Sequence, residues 1–182
     1  MDAVLAAIGF ILALFACVVL HELGHALTAR RFGIVTRSIT LLPIGGVAAI
    51  EKTPEDPRQE ILIALAGPVV SLGIGLFLWV WLKTSGALVP IEQLDAMEGP
   101  FLQQLMIVNV LLAIFNLVPA FPMDGGRILR AMLSLFMEPY RATRTAASIG
   151  QFMALLFALL GLLFNPFLFL ICLLYTSDAA DE

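Results

Sequence analysis

Two histidines and a glutamate near the amino terminus have the residue types and the spacing of a metal site. His21 and His25 are four residues apart, so on a helix they share one face and can offer ring nitrogens to a single tetrahedral metal ion. Glu22 stands beside them, and the pattern His-Glu-x-x-His is typical of zinc-dependent hydrolysis, in which the glutamate moves the proton. The alternative is the end of a membrane helix whose polar residues are solvated at the interface.

A catalytic zinc site needs a third protein ligand and an open position for water. The chain has two histidines in all, so a carboxylate is the candidate. Asp124 stands out because it follows a break in an apolar span, on the same side of the membrane as the histidines. We favour Asp124 as a ligand; the alternative is that it caps a helix beginning at Gly125 or Gly126, and one carboxylate can do both. The other carboxylates weighed are assigned to the opposite face or to charged surface segments: Asp2, Asp95, Glu51, Glu55, Asp56, Glu60 and Glu138.

The elements that position these residues are predicted to lie in a membrane. Of 182 residues, 60% are apolar and 13% are charged, which excludes a water-soluble globule. Residues 3–20 and 61–82 carry no charge, and each run is long enough to cross about 30 Å of hydrocarbon as a helix. The lipid bilayer is therefore an expected partner. Nucleic acid is excluded as a partner, because a net charge of −4 provides no basic surface for it.

The first span continues without a proline as far as Arg31, so one helix should carry the histidine pair. Cys17, one turn before the first histidine, is interpreted as a small core residue. Residues 38–42 and 47–50 flank a Pro-Ile-Gly-Gly sequence at 43–46. Short apolar runs on either side of such a sequence predict a small β-hairpin.

The third span begins near Phe101 and is broken by Pro119 and Pro122. We expect a helix to restart over 127–136. A broken helix at membrane depth is tolerated only where it lines a cavity or is buried in protein. The expected fold class is therefore an all-α polytopic membrane protein of about 4–5 transmembrane helices. It has a small β-hairpin and a broken helix at the active site.

The carboxy-terminal part contains two further features. The apolar stretch 146–171 is interrupted by an Asn-Pro pair at 165–166, which predicts two helices or a hairpin. Residues 172–182 read CLLYTSDAADE, a run that looks like a translated sequencing adapter and is set aside. We expect residues 1–171 to be a membrane-embedded core that is truncated at both ends, with a further span ahead of Met1 and native sequence after Ile171.

Positive charges predict the orientation in the membrane. Lysines and arginines concentrate in the 26–60 connection and in residues 125–147, and Lys83 is the single one in the 83–100 loop. Because cytoplasmic loops carry the excess of Lys and Arg, the first two segments are predicted to be cytoplasmic and the third external. The expected location is a multi-pass protein of the cell membrane, with its active site near the cytoplasmic face.

Four motifs in this order and spacing resemble the site-2 protease family of intramembrane zinc metalloproteases. They are HELGH at 21–25, LPIGGV at 42–47, AGP at 66–68 and NLVPAFPMDGGR at 116–127. The resemblance implies that His21, His25 and Asp124 are the ligands of one zinc ion and that Glu22 is the catalytic base. It also implies that Asn116 lies near the site. Members of the branch it resembles often carry carboxy-terminal CBS modules that bind nucleotide, and these are expected to be missing here.

The expected function is intramembrane proteolysis: a zinc-activated water, deprotonated by Glu22, attacks a peptide bond in or near a transmembrane segment of a membrane-protein substrate. Asn116 would donate to the developing oxyanion or, alternatively, bond carbonyls freed at the helix break. The hairpin would hold an unwound substrate by strand addition or merely plug the protein. Two rival functions are a catalytically inactive zinc-binding scaffold, against which Glu22 argues, and a transporter, for which the chain lacks internal repeats.

Overall fold

A computed structural model describes residues 2–34, 36–42, 45–50, 54, 56–90 and 100–164. The chain forms two compact units, unit 1 (Met1–Pro54 and Leu65–Phe115) and unit 2 (Glu55–Ala64 and Asn116–Glu182). The elements in chain order are α1 (Asp2–Arg31), β1 (Thr36–Leu42), β2 (Gly45–Ile50), α2 (Pro57–Thr84), α3 (Phe101–Asn116), α4 (Asp124–Ser134) and α5 (Pro139–Phe164).

The first helix confirms that one unbroken element carries the apolar run and the histidine pair. Helix α1 has 30 residues and ends on Arg30 and Arg31, so at 1.5 Å per residue it is about 45 Å long. Within the described residues, Val4–Arg31 and Pro57–Thr84 are long and apolar enough to cross a membrane. Many of their large apolar side chains are exposed, as Leu12 and Phe77 illustrate.

A two-stranded antiparallel pair follows α1 in unit 1. Strands β1 and β2 pair in a register that sets Thr40 opposite Val47 and Leu42 opposite Gly45. The register shifts between Thr36 and Ser38, a bulge that increases the local twist. Both strands contact α1, so the pair is attached to the helix that carries the histidines.

The core of unit 1 is formed by α1, α2 and α3. Cys17, Leu78 and Leu105, one from each helix, are buried together, which confirms Cys17 as a core residue. At the edge of this core, the rings of Phe10 and Phe101 meet edge to face with centroids 5.8 Å apart. These contacts hold the amino-terminal half of α1 against its two neighbours.

The predicted break after the third span is present in unit 2. Helix α3 ends at Asn116 and α4 begins at Asp124, three residues before the predicted restart at residue 127. The segment between them packs closely on the start of α4: a Cβ atom added to Gly126 would lie 2.7 Å from the backbone of Ala120. Only glycine leaves room for that approach.

The assignment of Glu60 to a charged surface segment is wrong. Helix α2 begins at Pro57 rather than at residue 61, and the Asp56 side chain accepts a hydrogen bond from the Arg58 backbone N–H at 2.9 Å, which caps this earlier start. Glu60 therefore lies within a helix. It is 3% exposed and forms an ion pair with Arg130 of α4, and that partner makes its burial tolerable.

Helix α5 begins at Pro139, seven residues before the apolar stretch that starts at residue 146. The apolar pattern did not reveal this earlier start, because the first turns of the helix are polar. Several sequence expectations lie outside the described residues. They are the assignments of Glu51 and Glu55 to surface segments, the 91–99 part of the external loop with Asp95, the interruption at 165–166, and the run 172–182.

Candidate metal centre

The His-Glu-x-x-His segment forms a buried cluster on α1. His21, Glu22 and His25 are 3%, 7% and 3% exposed, although each could be charged. One potential ligand atom from each side chain lies within 4.8 Å of the others. Burying polar groups so close together costs free energy unless they have partners, and a cation shared by the cluster is one such partner.

The separation of the two histidines fits a tetrahedral metal ion. Their Nε2 atoms lie 3.3 Å apart. Two nitrogens at the usual zinc distance of about 2.05 Å, with a tetrahedral angle between them, are separated by about 3.3 Å. The helix therefore places the two Nε2 atoms at the separation that two zinc ligands would have. The donor set of two imidazoles and a nearby carboxylate also suits zinc.

Helix α2 forms one wall of the cluster. A Cβ atom added to Gly67 would lie 2.6 Å from Nε2 of His21 and would also collide with Nε2 of His25. A Cβ atom on Gly24 would lie 2.9 Å from the carbonyl oxygen of Ala66. The two helices thus approach closely through small residues, as is usual for helix pairs in membranes, and Gly67 leaves the space that the two Nε2 atoms occupy.

A side chain of α2 also contacts the far side of the first histidine. Ser71 Oγ and His21 Nδ1 are hydrogen bonded at 2.9 Å, and Ser71 is fully buried. Metal-binding histidines usually use their second ring nitrogen in this way, which fixes the orientation of the ring.

Asp124 and Asn116 belong to unit 2. Met123 occupies the N-cap position of α4, so Asp124 is the first helical residue, and the alternative that Asp124 caps a helix beginning at Gly125 or Gly126 is wrong. Its carboxylate is nevertheless favourably placed at a helix amino terminus, and Oδ1 lies 3.9 Å from a guanidinium nitrogen of Arg127. Asp124 is 7% exposed. Asn116 is the last residue of α3 and is half-buried.

Sequence reasoning missed Ser71 and the contact role of Gly67. A signal was available: a serine stands in an otherwise apolar span, four residues after the glycine of the AGP motif, so both fall on one helix face. The motif pointed to α2 without indicating which atoms of α1 it meets, because that depends on the packing of two helices far apart in sequence.

The chain is similar in sequence to a family of peptidases and to several known proteins. The family model of peptidase family M50 matches residues 9–98 and 84–159. A zinc metalloprotease of Methanocaldococcus jannaschii is 42% identical over 176 residues, which are 97% of this chain and 49% of that protein. Stage IV sporulation protein FB of Bacillus subtilis is 26% identical over 135 residues, 74% of this chain and 43% of that protein. The chain thus spans about half the length of the curated relatives it matches.

A solved structure shares the fold. The site-2 protease from Methanocaldococcus jannaschii superposes with a TM-score of 0.72 at 40% sequence identity, over 99% of this chain and 87% of that one. The matched regions include the His-Glu-x-x-His helix and the segment with Asp124. The chain therefore belongs to peptidase family M50, as its resemblance to the site-2 proteases predicts.

Proposed function

We propose that residues 1–171 are the membrane-embedded core of a zinc-dependent protease that cleaves a peptide bond in or near a transmembrane segment of another membrane protein. The observation that carries this proposal is the buried cluster on α1, in which two Nε2 atoms lie 3.3 Å apart beside the carboxylate of Glu22. A glutamate in that position is dispensable for holding a metal and necessary for moving a proton, so it favours an enzyme over a scaffold.

The roles follow from the residue types. His21, His25 and Asp124 would hold one zinc ion, two through neutral imidazole nitrogens and one through a carboxylate oxygen. Bound zinc supplies a Lewis acid that activates water and polarises a carbonyl. Glu22 would take the proton from that water and deliver it to the leaving amine, and its burial keeps bulk water from competing for the proton.

Asn116 is proposed as the donor that stabilises the oxyanion. An amide N–H aimed at the developing negative charge lowers the barrier without transferring a proton. Its position on the last residue of α3, where the helix gives way to an irregular segment, suits a side chain that meets a substrate. Bonding to carbonyls at the helix break is the alternative role.

Substrate binding is proposed to use the strand pair. A transmembrane helix conceals its scissile bond within its own hydrogen bonds, so an unwound segment needs new partners for its backbone. Strands β1 and β2 form a two-stranded sheet attached to α1, and a two-stranded sheet has edges that can accept a further strand. Proline at Val47 should then impair cleavage and leave zinc content intact, since proline removes a ladder donor; equal cleavage would refute strand addition.

The proposed orientation sets the catalytic cluster near the cytoplasmic face of the cell membrane in a multi-pass protein. The basic residues Arg30 and Arg31 in the last turn of α1 support it, because positive charge favours the cytoplasmic side. Labelling of a cysteine at residue 90 by an impermeant reagent in intact cells is expected. Labelling at residue 55 instead would contradict the orientation.

Metal-dependent cleavage by purified protein tests the function. Protein depleted of metal by a chelator should not cut a membrane-protein substrate, and one equivalent of zinc should restore the cut. Zinc binding without cleavage would indicate a scaffold, and zinc-independent ion flux in vesicles would indicate a transporter. Either result would overturn the proposal.

A further inference from the structure

The mechanism proposed above gives no role to the buried contact between Ser71 and His21. Ser71 is fully buried in α2, a helix of mostly apolar residues. Its hydroxyl is 2.9 Å from Nδ1 of His21, although 50 residues separate the two in sequence. A buried hydroxyl in a membrane helix normally bonds to its own helix backbone, so a bond to a ring on another helix requires an explanation.

The Ser71 hydroxyl can either donate to Nδ1 of His21 or accept from it, so the direction of the bond depends on which ring nitrogen of His21 carries the proton. A neutral imidazole has one N–H and one lone pair. The Nε2 atoms of His21 and His25 lie 3.3 Å apart and both face Gly67, so these are the atoms that converge on one point. If a shared cation is to bind there, both lone pairs must be on Nε2. The proton of His21 is then on Nδ1, where Ser71 Oγ can accept it.

We propose that Ser71 is a positioning residue, which holds His21 in the Nδ1–H tautomer and fixes the rotation of its ring so that Nε2 presents its lone pair to the metal. The inference rests on the proposed zinc site. Gly67 and Ser71 are one turn apart on α2 and therefore share a face. That face leaves room for the two Nε2 atoms and supplies the acceptor for Nδ1. Helix α2 therefore orients His21, a proposed ligand that belongs to α1.

The consequence is measurable as metal affinity. Without the acceptor, the ring of His21 loses one of the contacts that fix its rotation, and its proton is no longer held on Nδ1; both changes compete with metal binding. Loss of such a partner typically weakens metal affinity about 10–100-fold. Removing one hydroxyl leaves all three proposed ligands in place.

The test compares Ser71→Ala with two other variants. Ser71→Thr keeps the hydroxyl, and Ser148→Ala removes an exposed hydroxyl that donates to the backbone carbonyl of Arg144 in its own helix. Zinc affinity, measured by competition with a chelator, should fall about 10–100-fold in Ser71→Ala and remain at the wild-type value in Ser148→Ala. Ser71→Thr should recover most of the loss. Wild-type affinity in a folded Ser71→Ala protein would overturn the inference.

A second measurement does not depend on the stability of Ser71→Ala. Because the chain has two histidines, nitrogen-15 labelling of histidine yields two rings, and a His25→Gln variant assigns them. In the zinc-loaded wild-type protein, Nδ1 of His21 should be protonated and Nε2 should carry the metal. Protonation of Nε2 instead would overturn the inference whatever the affinity of Ser71→Ala.

The two proposals fail in different ways. If wild-type protein binds zinc through His21 and Ser71→Ala behaves identically, only the positioning role is wrong. If wild-type protein does not bind zinc, both the protease and the positioning role are wrong.

Discussion

The histidine pair and Asp124 are held by different kinds of backbone. His21 and His25 stand on an uninterrupted helix of 30 residues, and their spacing follows from helix geometry. Asp124 begins a helix of 11 residues that follows an irregular segment, and its place depends on how residues 117–123 pack against two glycines. One region therefore obtains its geometry from a local repeat and the other from a packed chain break.

The two regions are therefore sensitive to different kinds of substitution. In the helical region, a change disturbs the site when it reaches the histidine rings or the groups that contact them, as a side chain at Gly67 would. In the irregular region, a change in the backbone contacts around Gly125 is enough. The buried Glu60 side chain, paired with Arg130 of α4, adds an electrostatic support to the second region.

The largest effect is expected for Gly67→Ala. The added Cβ would lie 2.6 Å from Nε2 of His21 and would collide with Nε2 of His25, so both proposed ligands must move. Misplacement of catalytic groups by about 1 Å costs roughly 10²-fold in rate, and zinc content should fall together with cleavage. Metal analysis and a cleavage assay on the same preparation check this.

Gly73→Ala is the matched control in the same helix. A Cβ at Gly73 would meet no heavy atom within 4 Å among the described residues, so zinc and cleavage should be unchanged. Its stability should rise by about 0.5–1 kcal/mol, since alanine is the better helix former. Equal behaviour of the two variants would mean that α2 does not form a wall of the site.

A smaller effect is expected for Gly125→Ala in the irregular region. A Cβ there would collide with the backbone carbonyls of Leu117 and Val118, and backbone cannot move aside as a side chain can. Thermal unfolding in detergent should show a loss of about 3 kcal/mol, the upper end for overpacking, with reduced cleavage as Asp124 shifts. Gly9→Ala, with no heavy atom of the described residues within 4 Å of the added Cβ, should leave cleavage unchanged and raise the free energy of unfolding by about 0.5–1 kcal/mol. A neutral Gly125→Ala would contradict the account of the break.

The smallest effect is expected for Glu60→Gln. The glutamine keeps a hydrogen-bond acceptor for Arg130, whose side chain is 19% exposed, but removes the opposite charge. The free energy of unfolding should fall by about 1–2 kcal/mol, below the cost of breaking a fully buried pair. The exposed Glu138→Gln provides the control and should stay within about 0.5 kcal/mol of wild type. An equal loss in both variants would show that the ion pair does not support α4.

The sequence predicted the helical region better than the irregular one. The unbroken run to Arg31 predicted α1 correctly, since an apolar stretch without proline has one favourable structure in a membrane. Pro119 and Pro122 predicted the break, because proline ends a helix. Asp124 was not identified as the first helical residue, since the boundary of α4 depends on tertiary contacts at Gly125 and Gly126.

Two buried contacts could not be predicted from sequence. Glu60 stands in a charged stretch, so solvation was the natural interpretation, and only the position of Arg130 on another helix explains its burial. Ser71 carries no local signal of its partner, since His21 is 50 residues away. In both cases the partner is set by helix packing, which the order of motifs along the chain does not contain.

The central claim is that the α1 cluster performs proton transfer at a metal, and Glu22→Gln tests it most directly. Glutamine keeps the size of the side chain and leaves His21, His25 and Asp124 unchanged, but it cannot take a proton. Zinc should remain near one per chain while cleavage falls by about 10²-fold or more, whereas Asp124→Ala should lose zinc and cleavage together. Wild-type cleavage by Glu22→Gln would contradict the hydrolytic mechanism, and full zinc and activity in Asp124→Ala would remove Asp124 from the ligand set.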